Sequence, residues 1–379
     1  MSKVVSVIAL DKNPHSLINE SRLKIFACDF SDQDELINFV ENHELDGVYA
    51  MNDHAIIPAE NVAKKLGLKG INYATSDVLL EKSKMRKIWL ENRLSQPKYE
   101  IVKSLNDAHF AAENIGYPLI IKPSASGGAG RGVYKVNSAD ELNFYYPRVI
   151  TECRYSPTIL VEEFVDGLEC SMEIVFLNKK AHLLAISSKI KANGSSQVAT
   201  EIVYPAQISK QNLSDIFSLV ERAGLSLGIS NGIGHFEVIT NSYGVPHLVE
   251  VGGRAGGGHT FHPIVSHVSG INYPQLIAHL YTGSFNEVER LLQFEIQSNS
   301  AVYSFPVTER SGKIKKIGFN NLSSDSCIAE CWRKKGDFIS GMNSSMDRLG
   351  CLVVLSDKGT SYAVKESRFI MSEFFLELN

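Results

Sequence analysis

A short β-branched run, Leu119 to Ile121, ends in Lys122, and the loop behind it carries Gly127, Gly128, Gly130 and Gly132. Glycines let backbone N–H groups close around phosphate oxygens, and a lysine at a strand end adds a point charge to the same anion. No Gly-Lys-Ser/Thr follows and no helix opens there, so this is not a Walker loop. Residues 133–136 read as a second strand, which makes the segment a hairpin flap over nucleotide phosphates; an ordinary glycine-rich hairpin is the plain alternative. Further on, Glu162-Glu163-Phe164-Val165 leads through an Asp166-Gly167 turn to Glu169. Such a turn can offer backbone groups to an adenine edge beside Phe164 and Val165. Glu162 would accept from the adenine amino group and Glu169 from ribose hydroxyls. A solvated acidic strand end is the competing reading. A third segment sets Glu237 and Glu250 on two strands joined by a polar turn at Asn241-Ser242-Tyr243-Gly244, with Arg254 just beyond. Two carboxylates held side by side are costly unless a cation separates them, and magnesium, a hard ion, suits such oxygens.

These three segments, in this order and spacing, resemble the ATP-grasp superfamily over about Lys82 to Gly283, and most of all its L-amino-acid ligases, with D-alanine–D-alanine ligase and biotin carboxylase as further likenesses. The resemblance implies ATP and Mg2+, with Mn2+ as a substitute. It implies that Lys82 reaches ATP from the end of the first domain and that Lys122 contacts the α-phosphate and adenine. Glu162, Glu163, Phe164 and Val165 match the adenine hinge, Glu169 the ribose acceptor, and Glu237 with Glu250 the magnesium carboxylates. Arg254 matches the arginine that stabilises the transferring phosphate. Lys189 or Lys191 matches the lysine on the terminal phosphates, Lys189 being preferred. One departure stands out: the family writes Glu-x-Asn-x-Arg, and this chain has Gly252 in the asparagine position. That leaves the number of metal ions open.

Such a site turns a carboxylate, a poor electrophile, into an acyl phosphate that an amine can attack. It must supply charge to the phosphoryl group, hold both reactants and exclude water. The glycines after Arg254 permit close approach to a small anion, and His259 or His262 is expected to bind that anion or take the amine's proton. His267 and Asn272 are weaker candidates, and Arg131 is expected to be solvated.

The elements that must position these groups divide into three parts. Residues 1–95 alternate strand and helix as a parallel α/β domain: strands at 4–10, 23–27 and 47–51, helices at 33–44 and 56–66. The turn at Asp11-Lys12-Asn13-Pro14 resembles the one after the family's second strand, so the first strand is expected to be missing. A helix over 77–92 leads into an ATP-grasp domain, 96–295, with a mobile lid at about 106–185 and a metal-carrying base behind it. Ser104 with Asp107, and Ser138 with Glu141, read as helix starts. Residues 296–379 form a small β-rich domain with strands at 300–307, 314–319, 326–332 and 351–355 and a closing helix over 369–378. The fold class is therefore mixed α/β and α+β.

Composition fits this reading. The chain's 379 residues exceed one core and point to two or three domains. A net charge of −4 offers no basic footprint for nucleic acid or an anionic membrane. No apolar run approaches the ~20 residues a membrane span needs. Six scattered cysteines without a CxxC fit reduced thiols, so a cytoplasmic protein is expected; Cys327 and Cys331 are spaced to share a helix face. Partners are expected to be a small-molecule carboxylate and an amine, with a homodimer as in similar proteins. Besides a ligase, a carboxylase working through carboxyphosphate and an ATP-binding protein without turnover remain as readings.

Overall fold

The structure is a computed structural model that describes residues 5–12, 23–68, 76–125, 128–154, 157–192, 197–293, 299–320 and 327–379. Gly127 lies outside the described residues, as does the part of the expected opening turn from Asn13 onward.

At the start, β1 (Val7–Asp11) and β2 (Leu23–Ala27) pair in parallel. The Asp32 carboxylate accepts from the N–H groups of Asp34 and Glu35 and so starts α1 (Gln33–Glu41). The helix stops three residues before the expected Glu44, where the Asn42 side chain donates back to the Asn38 carbonyl. Residues 47–51 are not a strand as expected. Gly47 lies so close to Tyr281 that a Cβ would stand 2.1 Å from its carbonyl oxygen, and Tyr49 packs edge-on against the Tyr281 ring at 4.7 Å. This segment is bound through contacts to a later part of the chain instead of through a strand ladder. Helix α2 (Ile56–Leu66) ends at Gly67 in the left-handed region, φ +63°. The helix expected over 77–92 is divided: Glu81 is extended between a 3-10 turn at Val78–Leu80 and α3 (Lys82–Glu91).

A four-stranded antiparallel sheet, ordered β3-β6-β4-β5, follows with β3 (Tyr99–Val102), α4 (Leu105–Ile115), β4 (Leu119–Pro123), β5 (Tyr134–Val136), α5 (Ala139–Glu152) and β6 (Ile159–Glu163). Ser104 and Asp107 cap α4 reciprocally, as their spacing suggests. At α5 the Ser138 hydroxyl accepts from Glu141 N–H, while the Glu141 carboxylate reaches Asn137 N–H. Both helices press Ala108, Ala111, Leu142 and Val149 onto Leu119, Ile121, Val136 and Val161.

Next come β7 (Gly167–Leu177), β8 (Lys180–Lys191), β9 (Ala199–Tyr204), α6 (Lys210–Ser226), β10 (Gly232–Asn241), β11 (Pro246–Gly252), α7 (Ile264–Ser269), α8 (Tyr273–Tyr281) and α9 (Phe285–Leu292). Then come β12 (Ser300–Ser304), β13 (Ser311–Phe319), β14 (Cys327–Cys331), β15 (Phe338–Ser340), β16 (Gly350–Ser356), α10 (Thr360–Ser372) and β17 (Phe374–Leu378). Eight strands form one sheet, β11-β10-β7-β8-β9-β12-β16-β14. Strand β7, inside the range expected for the lid, is hydrogen-bonded into this large sheet, and β12, β16 and β14 extend it from the C-terminal region. Cys327 and Cys331 lie on strand β14 and not on a helix.

The closing helix expected over 369–378 is a correction. Helix α10 stops at Ser372, and β17 pairs with β13, because Phe374, Leu376 and Leu378 alternate and pack with Ile314, Ile339 and Leu349. No helix among the described residues is long and apolar enough to cross a membrane.

Candidate active site

Strand alternation decides which side chains meet. On the face of the large sheet that holds Glu169 and Glu173 of β7, cross-strand pairing sets Lys189 of β8, His235 and Glu237 of β10 and Glu250 of β11. The opposite face is apolar: Met172, Ile174, Phe236, Val238 and Leu248 pack against Ile216, Leu219, Val220 and Ala223 of α6. Each of these large side chains stabilises the base by about 1.5–3 kcal/mol on burial. The core thus fixes the polar face from behind.

Glu237 and Glu250 are direct register partners. The turn that pairs them is held by Asn241, whose side-chain oxygen accepts from Tyr243 and Val245 N–H, with Gly244 at φ +80°. Like charges directly opposite on a sheet are destabilising, and here cations relieve them. Lys82 stands 3.0 Å from Glu250, and Lys189 bridges Glu237 and Glu169, the latter at 2.8 Å. Lys191 also reaches Glu169, at 2.5 Å. Burial would raise the Glu237 carboxyl, but Lys189 and His235 outweigh it and hold it well below the usual range. Burial would likewise lower Lys189, yet Glu169 and Glu237 push it up. Two carboxyl groups with hard oxygen donors facing each other suit a magnesium-type ion, and Lys82 and Lys189 pair with them in this structure.

Beyond β11 the chain carries Arg254, which donates to Asp53, just ahead of α2, at 2.7 Å. Burial lowers the Arg254 guanidinium and Asp53 more than restores it. Asp53 also lies along the bare flank of Gly252, where a Cβ would stand 3.4 Å from its carboxylate oxygen. Two residues further, Gly256 N–H donates to both oxygens of Glu173 at 3.1 and 3.2 Å. Glu173 is 1% exposed and also accepts from Tyr273 Oη at 3.0 Å and pairs with His235 Nδ1 at 2.5 Å. Burial works against a charged His235, and Glu173 overrides it, raising its pKa to about 9. A Cβ on Gly256 would come within 2.5 Å of Glu173, so this loop needs glycine to dock on that buried carboxylate.

On the lid side, Lys122 and Glu162 pair at 2.7 Å, both buried. Both Glu162 oxygens are already engaged: Arg86 Nε donates to one at 2.7 Å, while Arg86 Nη2, at 3.2 Å, and Lys122 share the other. Glu162, expected as an adenine acceptor, is in this structure a buried ion-pair partner of Lys122 and Arg86. Burial alone would raise its carboxyl, but Arg86 and Lys122 hold it at about 2. Burial and Arg86 lower Lys122 in spite of Glu162. The following turn is set by Glu163 N–H donating to Lys98 O and Phe164 N–H to Pro118 O, with Lys135 Nζ 3.9 Å over the Phe164 ring. Val165 is half-buried beside it. In the glycine loop, Gly128, Ala129 and Gly130 are all left-handed, and Ser345 N–H donates to the Ala129 carbonyl.

His259 sits on a 3-10 turn with Nε2 3.2 Å from Glu330 and its ring edge-on to Tyr303. His267 faces away, its Nε2 3.3 Å from the Ser356 carbonyl, and Asn272 caps α8 by accepting from Gln275 N–H. Neither joins the site. Arg131, expected to be solvated, is half-buried. Sequence reasoning passed over Asp53, Arg86, Glu173, His235 and Tyr273. Two had a readable signal: Arg86 is one turn from Lys82 on the same helix face, and His235 alternates onto the face of Glu237.

Comparison with known proteins adds an independent finding. Residues 115–262 match the family model of the ATP-grasp domain. The chain is 27% identical over 224 residues to a D-alanine–D-alanine ligase of Delftia acidovorans, covering 56% of this chain and 68% of that one. It is 25% identical over 254 residues to the carbamoyl phosphate synthase large chain of Thermoanaerobacter pseudethanolicus, covering 66% of this chain but only 23% of that longer protein. Among solved structures, an L-amino acid ligase from Bacillus licheniformis superimposes with a TM-score of 0.81 at 21% identity, covering 98% of both chains. A biotin carboxylase from Campylobacter jejuni gives 0.68 at 16% identity, covering 94% of this chain and 82% of that one.

Proposed function

This chain belongs to the ATP-grasp superfamily of carboxylate–amine ligases, and on that premise we propose that it activates an amino-acid-like carboxylate as an acyl phosphate, joins it to an amine and releases ADP and phosphate. The observation that carries the proposal is the in-register pair Glu237 and Glu250, with Arg254 at the same strand end. Glu237 and Glu250 would hold Mg2+, which supplies positive charge to the phosphate oxygens when bound. Lys122 binds phosphate from the lid, Lys82 and Lys189 turn from the carboxylates to the nucleotide, and Glu169 takes the ribose. The hinge at Glu163 to Val165 borders the adenine, and Gly128 and Gly130 bring backbone N–H groups over the phosphates.

The substrate carboxylate oxygen attacks the terminal phosphorus, and the bond to ADP breaks. Arg254, oriented by Asp53, carries the charge that develops on the moving phosphoryl group. The amine nitrogen then bonds to the acyl carbon, the carbon–oxygen bond breaks towards phosphate, and His259 receives the amine's proton. A cytoplasmic homodimer belongs to the same proposal; its support is six cysteines without a CxxC spacing and a biotin carboxylase domain solved as a dimer. Sedimentation measures the dimer.

The test is ADP release with Mg2+ against pools of amino acids, amino sugars and bicarbonate. The proposal expects ADP and phosphate only when carboxylate and amine are both present. Release with bicarbonate alone would make the chain a carboxylase, and nucleotide binding without release would make it a binding protein.

A further inference from the structure

We propose that Arg86 is the positioning residue that locks the hinge of the lid to the metal-bearing strand, so that Lys122 and Glu250 face one nucleotide. The inference rests on the nucleotide reading above and concerns a residue that touches neither nucleotide nor metal in that reading.

Arg86 is 0% exposed, and its one guanidinium joins three elements. It projects from α3, donates through Nε and Nη2 to both oxygens of Glu162 on β6, and through Nη2 to the Val249 carbonyl at 2.9 Å on β11. Glu162 in turn holds Lys122. Val249 immediately precedes Glu250, and the register explains why its carbonyl needs a partner. Glu237 pairs with Glu250 but Val238 pairs with Leu248, so Val249 is the extra residue of a β-bulge. A bulged residue drops out of the ladder, and its half-buried carbonyl is left to take a donor from elsewhere. Arg86 is that donor.

The same helix face carries Lys82, four residues earlier, which pairs with Glu250 itself. Helix α3 therefore grips the metal strand at Val249 and Glu250 and the lid at Glu162. A planar fork suits this task, since a guanidinium presents donors in fixed directions and an ammonium does not.

Arg86→Lys keeps the charge and loses the fork. In the full chain, titration of Mg-ADP followed by calorimetry should show binding to Arg86→Lys about tenfold or more weaker than to wild type, the equivalent of one lost charged hydrogen bond. Glu162→Gln should weaken binding similarly, and the double variant should be no weaker than the worse single one, because both act through one fork. A merely structural role would lower the melting temperature and leave the affinity of the folded protein unchanged. Affinity within twofold of wild type in a folded Arg86→Lys, or additive losses in the double variant, would overturn the inference. If Arg86→Lys does not fold, Glu162→Gln decides, and unchanged affinity there overturns it. Failure of wild type to bind Mg-ADP would instead reject the nucleotide reading, and this inference with it.

Discussion

At the scale of single residues the site is a set of carboxylates already paired with cations. Glu237, Glu250 and Glu169 are held by Lys189, Lys82 and Lys191. This arrangement holds Glu237 and Glu169 below the usual carboxylate range, and in the proposed function a divalent ion takes over the charge of Glu237 and Glu250 while the lysines turn to phosphate. Replacing Glu250 by Gln keeps the size and removes the ligand charge. Mg2+-dependent ADP release should then fall by on the order of a hundredfold or more, with the melting temperature little changed; an unaltered rate would reject the metal assignment. Glu162 makes a different prediction. Its removal leaves Arg86 and Lys122 buried without a counter-charge, so Glu162→Gln should lose about 3–5 kcal/mol in denaturant unfolding at neutral pH. The folded carboxyl lies at about 2 against an ordinary 4.5. A depressed carboxyl stabilises fully above its unfolded value and loses that contribution as pH falls towards the folded one. The stability gap between wild type and variant should stay flat above about pH 5 and narrow from pH 4.5 towards pH 2. A gap that narrows near neutrality would contradict the pairing.

At the scale of elements, strands set the carboxylates in register and a glycine-rich loop docks on them. The segment after Arg254 docks on Glu173 through Gly256 N–H, and a Cβ there would lie 2.5 Å from Glu173 and 2.6 Å from Thr260. Gly256→Ala should cost about 1–3 kcal/mol through overpacking. It should slow ADP release far more than that loss explains, because Arg254 and His259 flank the displaced loop. Parallel unfolding and rate measurements check this, and a normal rate would show that the loop does not border the chemistry. Elements read well from sequence where the signal was local. The turn at Asn241 to Gly244 predicted the pairing of Glu237 with Glu250, and Ser104 with Asp107 predicted α4. Reading failed where the deciding contact was distant. Residues 47–51 have a strand's composition but pack on Tyr281, and Phe374 to Leu378 alternates as a strand whose partner β13 lies more than fifty residues earlier. Arg86 was passed over because its partners, Glu162 and Val249, stand 76 and 163 residues away.

At the scale of the whole molecule, a small antiparallel sheet carries Lys122 and a large sheet the acidic pair, and residues ahead of both sheets reach them: Lys82 pairs with Glu250, Arg86 with Glu162 and Asp53 with Arg254. Ligand that binds across these parts should stabilise them together. At a hundred times its dissociation constant, Mg-ADP should add about 2.7 kcal/mol to the unfolding free energy, visible as a rise in melting temperature. Mg2+ or ADP alone should add less, and equal shifts would argue against joint binding. The central claim is that Glu237 and Glu250 together grip a divalent ion beneath a triphosphate. A crystal structure with Mn2+ and a non-hydrolysable ATP analogue tests it most directly. The account predicts an anomalous peak bridging the two carboxylates and the terminal phosphates, with Lys82 and Lys189 moved onto phosphate. Lysines still paired to Glu250 and Glu237, with the metal bound elsewhere, would contradict it.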